Sequence, residues 1–318
     1  MKAGARLYAL HGAVIAVLLA LNFLLPAYHH GLMARILVLA TFAMGYNLTF
    51  GYGGLLSLGH AMFFAAGLYG AGLSIQHLGF GVPEAFLAAL ACGALLALIV
   101  GVLALRTTGV AFMIVTLMFS QAVHLAIIYF SAFTGGDQGL MLRPQQRRVE
   151  TVLGTLNLTD PNTRYLVALA LFTVVLFLML ALVRSGFGRV LVAIRENEER
   201  TRMLGYDTFS NRLAALVASG TVCAAAGAAY GILFGYVGAN FASVQYSILP
   251  LLWVLLGGAA TTLGPLFGTV FMYYVVDIAS GYTSAYMLVV GIVLILLVLF
   301  FRKGLLGTVR ERWLRWLP

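Results

Sequence analysis

Charged residues are scarce in this chain of 318 residues, and acidic residues are the scarcest of them. Only 9% of the residues are charged, and 10 residues in all are Asp or Glu. A soluble domain carries about 25% charged residues, so this composition excludes an ordinary water-soluble protein. With 62% hydrophobic residues and a mean hydropathy of +1.00, the sequence predicts an integral membrane protein.

Cysteine is nearly absent, and the residues that build reactive centres show no recognisable pattern. Cys92 and Cys223 each lie inside an apolar run, without the spacing of a disulfide or a metal site, so we interpret them as small packing residues. The 6 histidines lack zinc-like spacing, and no Walker A, HExxH or GxSxG sequence occurs. We therefore expect no enzymatic activity, no metal site and no cofactor bound by this chain.

The net charge of +9 would be compatible with nucleic-acid binding in a soluble protein, but the placement of the charges argues against it. Most Lys and Arg residues lie next to the ends of apolar runs, as membrane topology requires. With both termini in the cytoplasm, five arginines remain outside: Arg35, Arg143, Arg147, Arg148 and Arg164. We expect membrane lipid, and not nucleic acid, to surround the protein.

Apolar runs long enough to cross about 30 Å of hydrocarbon recur along the chain. The ten predicted spans cover residues 7–25, 32–50, 61–76, 83–105, 110–130, 164–183, 213–236, 248–256, 266–279 and 284–301. Helices satisfy their own backbone groups, so we predict an all-α membrane protein with about ten transmembrane or half-membrane helices. The eighth and ninth spans are short, and they could be either half-helices or tilted helices.

The predicted spans form a single domain, residues 1–318, with three polar segments. These are an external loop at 131–163, a cytoplasmic loop at 184–212 and a cytoplasmic tail at 302–318. Lys2 and Arg6 before the first apolar stretch resemble the start of a signal peptide. No A-x-A cleavage pattern follows, so we expect this stretch to remain as the first span.

The cytoplasmic loop contains the only long, strongly charged run, GRVLVAIRENEERTRMLG at 188–205. Glu196 precedes Arg200 by four residues, and Glu198 precedes Arg202 by four, the favoured order for ion pairs on a helix. The run predicts one amphipathic helix over residues 189–204 that ends at Gly205 in the left-handed conformation. Two interpretations are open: a solvated loop helix, and a helix that docks onto a soluble partner.

Two Gly-rich segments interrupt the spans, one in each half of the chain. GYGGLLSLGH occupies residues 51–60, and GGAATTLGP occupies residues 257–265. Such breaks are typical of transporters that bind a solute near the middle of the membrane, where exposed amides and carbonyls could bind a zwitterion. The alternative is that these glycines only permit close helix packing.

Polar residues within or beside the spans are candidates to line a water-filled path. These candidates are Asn47, Ser57, His60, Gln121, His124, Asn240, Ser243, Gln245, Thr261 and Thr262. Asp277 is the only acid in a late span and lies near its outer end, where an interfacial carboxylate is expected. The near absence of buried acids argues against a proton- or sodium-coupled carrier, which is kept as the alternative together with a scaffold that transports nothing.

Five segments in order resemble one family. They are GYGGLLSLGHAMFFAAGLYGAGL from Gly51, TGGDQGL from Thr134, GRVLVAIRENEERTRMLGYD from Gly188, GGAATTLGPLFGT from Gly257 and FRKGLLG from Phe301. Together they are similar to the membrane subunits of branched-chain amino-acid ABC importers of the LivM type. The second Gly-rich segment departs from the family pattern GGxGTxxGP, because Ala259 and Ala260 precede Thr261. The lost glycine should stiffen that turn.

The resemblance implies pseudo-symmetric halves, a bacterial inner-membrane location, and partners. These are a second homologous permease, two cytoplasmic ATPases that bind ATP and Mg²⁺, and a periplasmic substrate-binding protein. It also favours the docking interpretation of the charged run. Arg195, Glu196, Asn197, Glu198 and Arg200 would face the ATPase, with Leu204 and Gly205 fixing the helix end. Substrates in the wider family include other amino acids, amides and urea.

Overall fold

The computed structural model describes residues 2–151, 154–300 and 304–312. Helices dominate it, and each predicted span is a helix. In chain order the α-helices are α1 (Lys2–Leu24), α2 (Ala27–Asn47), α3 (His60–Leu78), α4 (Val82–Ala104), α5 (Gly109–Tyr129), α6 (Ser131–Thr134), α7 (Pro161–Arg184), α8 (Gly186–Glu196), α9 (Glu198–Met203), α10 (Thr208–Phe234), α11 (Val244–Gly257), α12 (Gly264–Tyr282), α13 (Tyr286–Phe300) and α14 (Leu305–Arg312). The prediction of an all-helical membrane protein is confirmed.

Six helices in the described ranges are long and apolar enough to cross a membrane: α1, α2, α4, α5, α7 and α10. Helix α2 continues without a gap into a π-helical segment, Leu48–Tyr52. Helix α11 is shorter and contains Pro250, which cannot donate a backbone hydrogen bond. The count of ten crossings, the pseudo-symmetric halves and the extent of the single domain stay predictions.

Helix α2 forms the centre of the structure, with almost every residue of its second half buried. Around it, α3 and α10 approach each other closely because small residues face each other. A Cβ atom at Gly67 would lie 1.9 Å from the carbonyl oxygen of Ala224, and one at Gly227 would lie 1.9 Å from that of Phe64. No side chain fits there, so glycine permits the close packing of these two helices, although Gly67 and Gly227 lie outside the two Gly-rich segments.

The loop predicted to be external, residues 131–163, carries short β-structure that the sequence did not predict. Strand β1 (Leu140–Met141) pairs with β4 (Tyr236–Val237), with Leu140 opposite Val237. Strands β2 (Arg148–Thr151) and β3 (Gly154–Asn157) form a second antiparallel pair, with Arg148 opposite Asn157. The first pair ties the loop to the end of α10.

Arg147 explains part of the arginine cluster on the predicted outer side. It is buried in a 3-10 turn, Pro144–Arg147, and its Nη1 donates a hydrogen bond of 3.1 Å to the carbonyl oxygen of Leu233. A cation at the last turn of α10 complements the partial negative charge of the helix C-terminus. Burial lowers the pKa of Arg147 from its ordinary value. The cluster is therefore in part a helix cap and does not need a reversed topology.

The charged run at 188–205 forms two helices, so the prediction of one continuous helix was wrong. Asn197 separates α8 from α9 in an extended conformation, with φ −159° and ψ 104°. Its Oδ1 accepts a hydrogen bond of 2.9 Å from the backbone N–H of Arg200, which begins the second helix. Asparagine is a preferred N-cap, and this cap replaced helix continuation. Gly205 does adopt the predicted left-handed conformation, with φ +88°.

The tail is helical over α14, the part that the structure describes. Residues 302–303 and 313–318 of the predicted tail 302–318 lie outside the described residues.

Candidate functional site

The two Gly-rich segments meet at Asn47, the last residue of α2. Its Nδ2 donates a hydrogen bond of 2.9 Å to the carbonyl oxygen of Thr261, and its Oδ1 accepts one of 3.1 Å from the N–H of Ala260. Asn47 is 2% exposed, so neither bond competes with bulk water. We call the contact of Asn47, Gly51, Ala260 and Thr261 the joint. It places two predicted path residues, Asn47 and Thr261, in direct contact.

Gly51 brings the π-helical segment against the second Gly-rich segment. A Cβ atom there would lie 2.0 Å from Asn47 Oδ1 and 2.6 Å from the N–H nitrogen of Ala260. Only glycine can occupy this position without a shift of the backbone. On the other side, Thr261 Oγ1 donates to the carbonyl oxygen of Gly258 at 2.7 Å and accepts from the N–H of Gly264 at 3.1 Å. These bonds fix the turn between α11 and α12.

Ala260 has a strained backbone at the centre of this turn. Its φ of +58° makes it the non-glycine residue with positive φ in the described ranges. The left-handed region costs an L-residue roughly 1–2 kcal/mol relative to glycine. This is the position at which the sequence lacks the glycine expected from GGxGTxxGP, and the predicted stiffening of the turn stays a prediction.

Helix α1 contacts Thr262, the residue that follows the joint. His11, which is fully buried, lies with its Nε2 2.8 Å from Thr262 Oγ1, and its Nδ1 lies 2.8 Å from the carbonyl oxygen of Leu7. Thr262, another predicted path residue, is therefore bonded inside the subunit.

The charged loop reaches the joint through Arg195. Its guanidinium Nη1 donates a hydrogen bond to the carbonyl oxygen of Gly51. The aliphatic part of the same side chain covers Gly54, where a Cβ atom would lie 2.7 Å from Arg195 Cγ. Arg195 was predicted to face a partner, whereas its hydrogen bond is made to this chain. It connects the loop to the first Gly-rich segment.

The other predicted coupling residues divide into internal and outward groups. Glu198 pairs with Arg212 at 2.7 Å and with Arg202 at 3.2 Å, which confirms the predicted pair of Glu198 with Arg202. Glu196, Asn197 and Arg200 are exposed, and among the described residues Glu196 and Arg200 form no ion pair.

An apolar end accompanies these outward charges. Met203 is 83% exposed and Leu204 is 76% exposed, just before Gly205. Exposed apolar side chains surrounded by charged residues are typical of a protein contact.

Ser57 and His60 belong to a buried polar network. Ser57 Oγ accepts the N–H of Gly59 at 3.2 Å. His60 is fully buried, and its Nε2 lies 3.1 Å from Thr49 Oγ1 and 3.0 Å from Ser219 Oγ. The arrangement positions the start of α3 against α10. Sequence reasoning missed Ser219 and also Ser247, whose Oγ accepts the N–H of Ala61 at 3.0 Å; a polar residue within an apolar run was the available signal.

The remaining path candidates lie on α5 and on the segment from the 3-10 turn Ala239–Ala242 to the first turn of α11. His124 Nδ1 lies 3.1 Å from the carbonyl oxygen of Ala239, so α5 contacts the 3-10 turn Ala239–Ala242. Gln121 and Ser243 are half-buried, and Asn240 and Gln245 are exposed. We call these side chains the polar strip; its members are Gln121, His124, Asn240, Ser243 and Gln245. The structure thus divides the predicted path residues into a buried group and this strip.

Comparison with known proteins agrees with this architecture. Residues 29–299 match the family described as "Branched-chain amino acid transport system / permease component". The chain belongs to this family. The match runs from the first turn of α2 to the end of α13, so this permease carries both Gly-rich segments and the charged loop within the family region.

Individual relatives are consistent with the family match. The permease is 28% identical over 291 residues to the "High-affinity branched-chain amino acid transport system permease protein LivM" of Escherichia coli K12, which covers 85% of this chain and 68% of the relative. The protein of the same description from Salmonella typhimurium LT2 is 27% identical over 322 residues, covering 94% and 75%. A "Probable branched-chain amino acid transport permease protein LivM" from Methanocaldococcus jannaschii is 35% identical over 98 residues, covering 30% and 28%. No solved structure matches the permease.

Proposed function

We propose that this permease is the membrane subunit of an ATP-driven importer for branched-chain or related amino acids. The observation that carries the proposal is the family match over residues 29–299. The full importer would contain a second homologous permease, two cytoplasmic ATPases that bind ATP and Mg²⁺, and a periplasmic substrate-binding protein. It would lie in a bacterial inner membrane with both ends of this chain in the cytoplasm.

In this proposal the ATPase contacts the outward part of the charged loop. Glu196, Arg200, Met203 and Leu204 offer charged and apolar side chains there, all of them exposed. Glu198 contributes indirectly, because its pairs with Arg202 and Arg212 hold α9 against the start of α10. The contact surface is therefore narrower than the run of charged residues.

Movement of the loop would reach the membrane through the joint. Arg195 pulls on the carbonyl group of Gly51, and Asn47 holds Ala260 and Thr261 on the other side. A displacement of α8 would move both Gly-rich segments together, and with them α2, α11 and α12. The solute itself would pass along the polar strip, facing the second permease, which supplies the other wall.

Two pairs of variants in the reconstituted importer test this division of roles. Arg195→Gln should leave ATPase assembly intact but reduce uptake of labelled leucine at least tenfold, whereas the exposed Arg189→Gln should not. Glu196→Lys should weaken ATPase retention on the permease during affinity purification, and the neighbouring Glu199→Lys serves as the comparison.

A wild-type rate of uptake by Arg195→Gln would refute the proposal that Arg195 links movement of the charged loop to the joint. Ion-driven uptake by the purified permease without ATPases would instead establish a secondary carrier, the alternative class. Charge reversal at Glu198 is less informative, because it also breaks the two internal ion pairs.

A further inference from the structure

A cavity of about 420 Å³ lies at the end of α2 opposite the joint, between α2, α7, α10 and α12. By the predicted topology this is the outer side. Six of its lining residues carry its chemistry: Tyr28, Arg35, Arg164, Phe234, Asp277 and Ser280. The volume falls within the range of roughly 300–1,000 Å³ that small-molecule sites occupy.

One wall of the cavity is strongly positive. The guanidinium carbons of Arg35 and Arg164 lie 5.1 Å and 5.4 Å from the centre of the same Phe234 ring. Within the described ranges neither arginine takes part in an ion pair. The buried Nε of Arg164 has no hydrogen-bond partner there, although its Nη2 donates to the carbonyl oxygen of Thr159 at 3.2 Å. These donors are available to an oxyanion, since guanidinium groups bind carboxylate and phosphate oxygens well.

The cavity also carries a negative charge, the carboxylate of Asp277, which is not paired with either arginine. Asp277 Oδ1 accepts a hydrogen bond of 2.5 Å from the hydroxyl group of Tyr28. Its Oδ2 accepts no hydrogen bond from the part of the chain that the structure describes, and no described arginine lies within ion-pair distance of Asp277. A carboxylate oriented by a neutral hydroxyl group remains available to a cation. The cavity thus presents both charges without neutralising either.

We propose that this cavity binds a zwitterion, with its oxyanion between Arg35 and Arg164 and its ammonium group at Asp277. Two molecules share that chemistry: a free α-amino acid and the headgroup of phosphatidylethanolamine. The amino-acid source rests on the proposed function, and the lipid source does not. Tyr28 and Ile278 are 62% and 58% exposed, so the neighbouring surfaces of α2 and α12 are accessible to either source.

Binding to the full-length permease in nanodiscs tests the proposal. One arm measures labelled leucine in nanodiscs of phosphatidylglycerol, and 4-methylpentanoate, which has the carboxylate but no amine, competes with it. The other arm uses native mass spectrometry to compare retained phosphatidylethanolamine with retained phosphatidylglycerol. Leucine binding identifies the amino-acid source, and selective retention of phosphatidylethanolamine identifies the lipid source.

The variants separate the two charges. Arg35→Gln and Arg164→Gln should each weaken binding of the zwitterion at least tenfold. Asp277→Asn should weaken the binding of leucine or phosphatidylethanolamine to the affinity of the amine-free analogue. The affinity of that analogue itself should not change. Arg148→Gln and Glu150→Gln are matched controls, since both residues are exposed on β2 and outside the cavity lining. Tyr28→Phe, which keeps every charge, should give a smaller loss and serves if Asp277→Asn does not fold.

If the wild-type permease bound neither leucine nor phosphatidylethanolamine, the proposal would be overturned. The same holds if the control variants lost as much affinity as the cavity variants, or if ligands with and without an amine bound equally well. A failure of the zwitterion site can be distinguished from a failure of the proposed function. An importer that transports leucine normally but carries an empty cavity would refute only the zwitterion site. A permease that retains phosphatidylethanolamine but never supports uptake would refute only the importer.

Discussion

Asn47 and Thr261 are 214 positions apart in the sequence and are joined by a hydrogen bond of 2.9 Å from the side-chain amide to the backbone carbonyl. The oxygen of the same side-chain amide accepts the N–H of Ala260, so one side chain holds two consecutive residues of the second Gly-rich turn. Because Gly51 lies against this contact and accepts a bond from Arg195, three separate segments of sequence depend on a single buried residue.

The first prediction concerns Asn47→Ala. It should lower stability by roughly 1–3 kcal/mol, because the buried carbonyl group of Thr261 loses its hydrogen bond from Asn47. We expect a lower midpoint of thermal unfolding, followed by size-exclusion chromatography, and reduced uptake in the importer. Thr221→Ala removes a bond of 2.7 Å to Val217 within one helix and should cost much less. Equal midpoints for the two variants would contradict the role of Asn47.

The second prediction concerns Gly51→Ala. The new methyl group would overlap Asn47 and Ala260, so the π-helical segment must shift away from the second Gly-rich turn. We expect loss of uptake with helical content preserved, measured by transport assay and circular dichroism. Gly12→Ala on α1 is the matched control, because nothing lies within 4 Å of the added atom. Normal transport by Gly51→Ala would show that the close approach is dispensable.

The third prediction concerns the strained Ala260. Replacement by glycine removes the left-handed penalty of roughly 1–2 kcal/mol but adds about 0.5–1 kcal/mol of backbone entropy cost. Ala260→Gly should therefore match or slightly exceed the wild-type unfolding midpoint, whereas Ala260→Val should fall clearly below it. Ala259→Val, at a neighbouring position with negative φ, controls for side-chain size. A valine at 260 that leaves the midpoint unchanged would argue against the strain.

The fourth prediction is a pH dependence at Asp207, which caps the N-terminus of α10. Hydrogen bonds from the hydroxyl group and N–H of Ser210, at 2.5 Å and 3.2 Å, lower the pKa of Asp207 below its ordinary value of 3.8. A carboxyl group with a lowered pKa stabilises the folded state above its ordinary pKa and loses that contribution as pH falls through the lowered value.

Variants at this cap separate charge from hydrogen bonding. Asp207→Asn keeps a good N-cap without a titrating group. The difference in stability between this variant and the wild type should therefore change only in the acidic range, below about pH 4. Asp207→Ala should be less stable than either at neutral pH. Thermal unfolding between pH 3 and pH 7 measures both effects. A difference between wild type and Asp207→Asn that is constant across this range would contradict the assignment.

Local pattern was sufficient to predict the helices and some of their ends. The apolar runs fixed each span to within a few residues, since length and composition determine which segments can lie in hydrocarbon. The spacing of Glu198 and Arg202 predicted their ion pair, and Gly205 predicted the end of α9. Each of these depends on residues that are neighbours in sequence.

Features that depend on distant residues were not predictable in the same way. The break at Asn197 is a local exception that was also missed, because an asparagine side chain can bond a nearby backbone N–H in place of a continued helix. The inward hydrogen bond of Arg195 requires Gly51 to lie beside it, and nothing in the charged run indicates that neighbour. Asn47, Thr261 and Thr262 were predicted to line a path, which stays a prediction, and the sequence could not show that Asn47 contacts Thr261 or that Thr262 contacts His11.

Gly304 also bears on how this permease can be observed. With φ +76°, it lies so close to the second Gly-rich turn that a Cβ atom would be 2.5 Å from the nitrogen of Gly258. The chain leading to α14 therefore starts from the same turn that Asn47 holds. A rearrangement of the turn should therefore move α14. The fluorescence anisotropy of a label attached to α14 should report that movement, without any label inside the membrane.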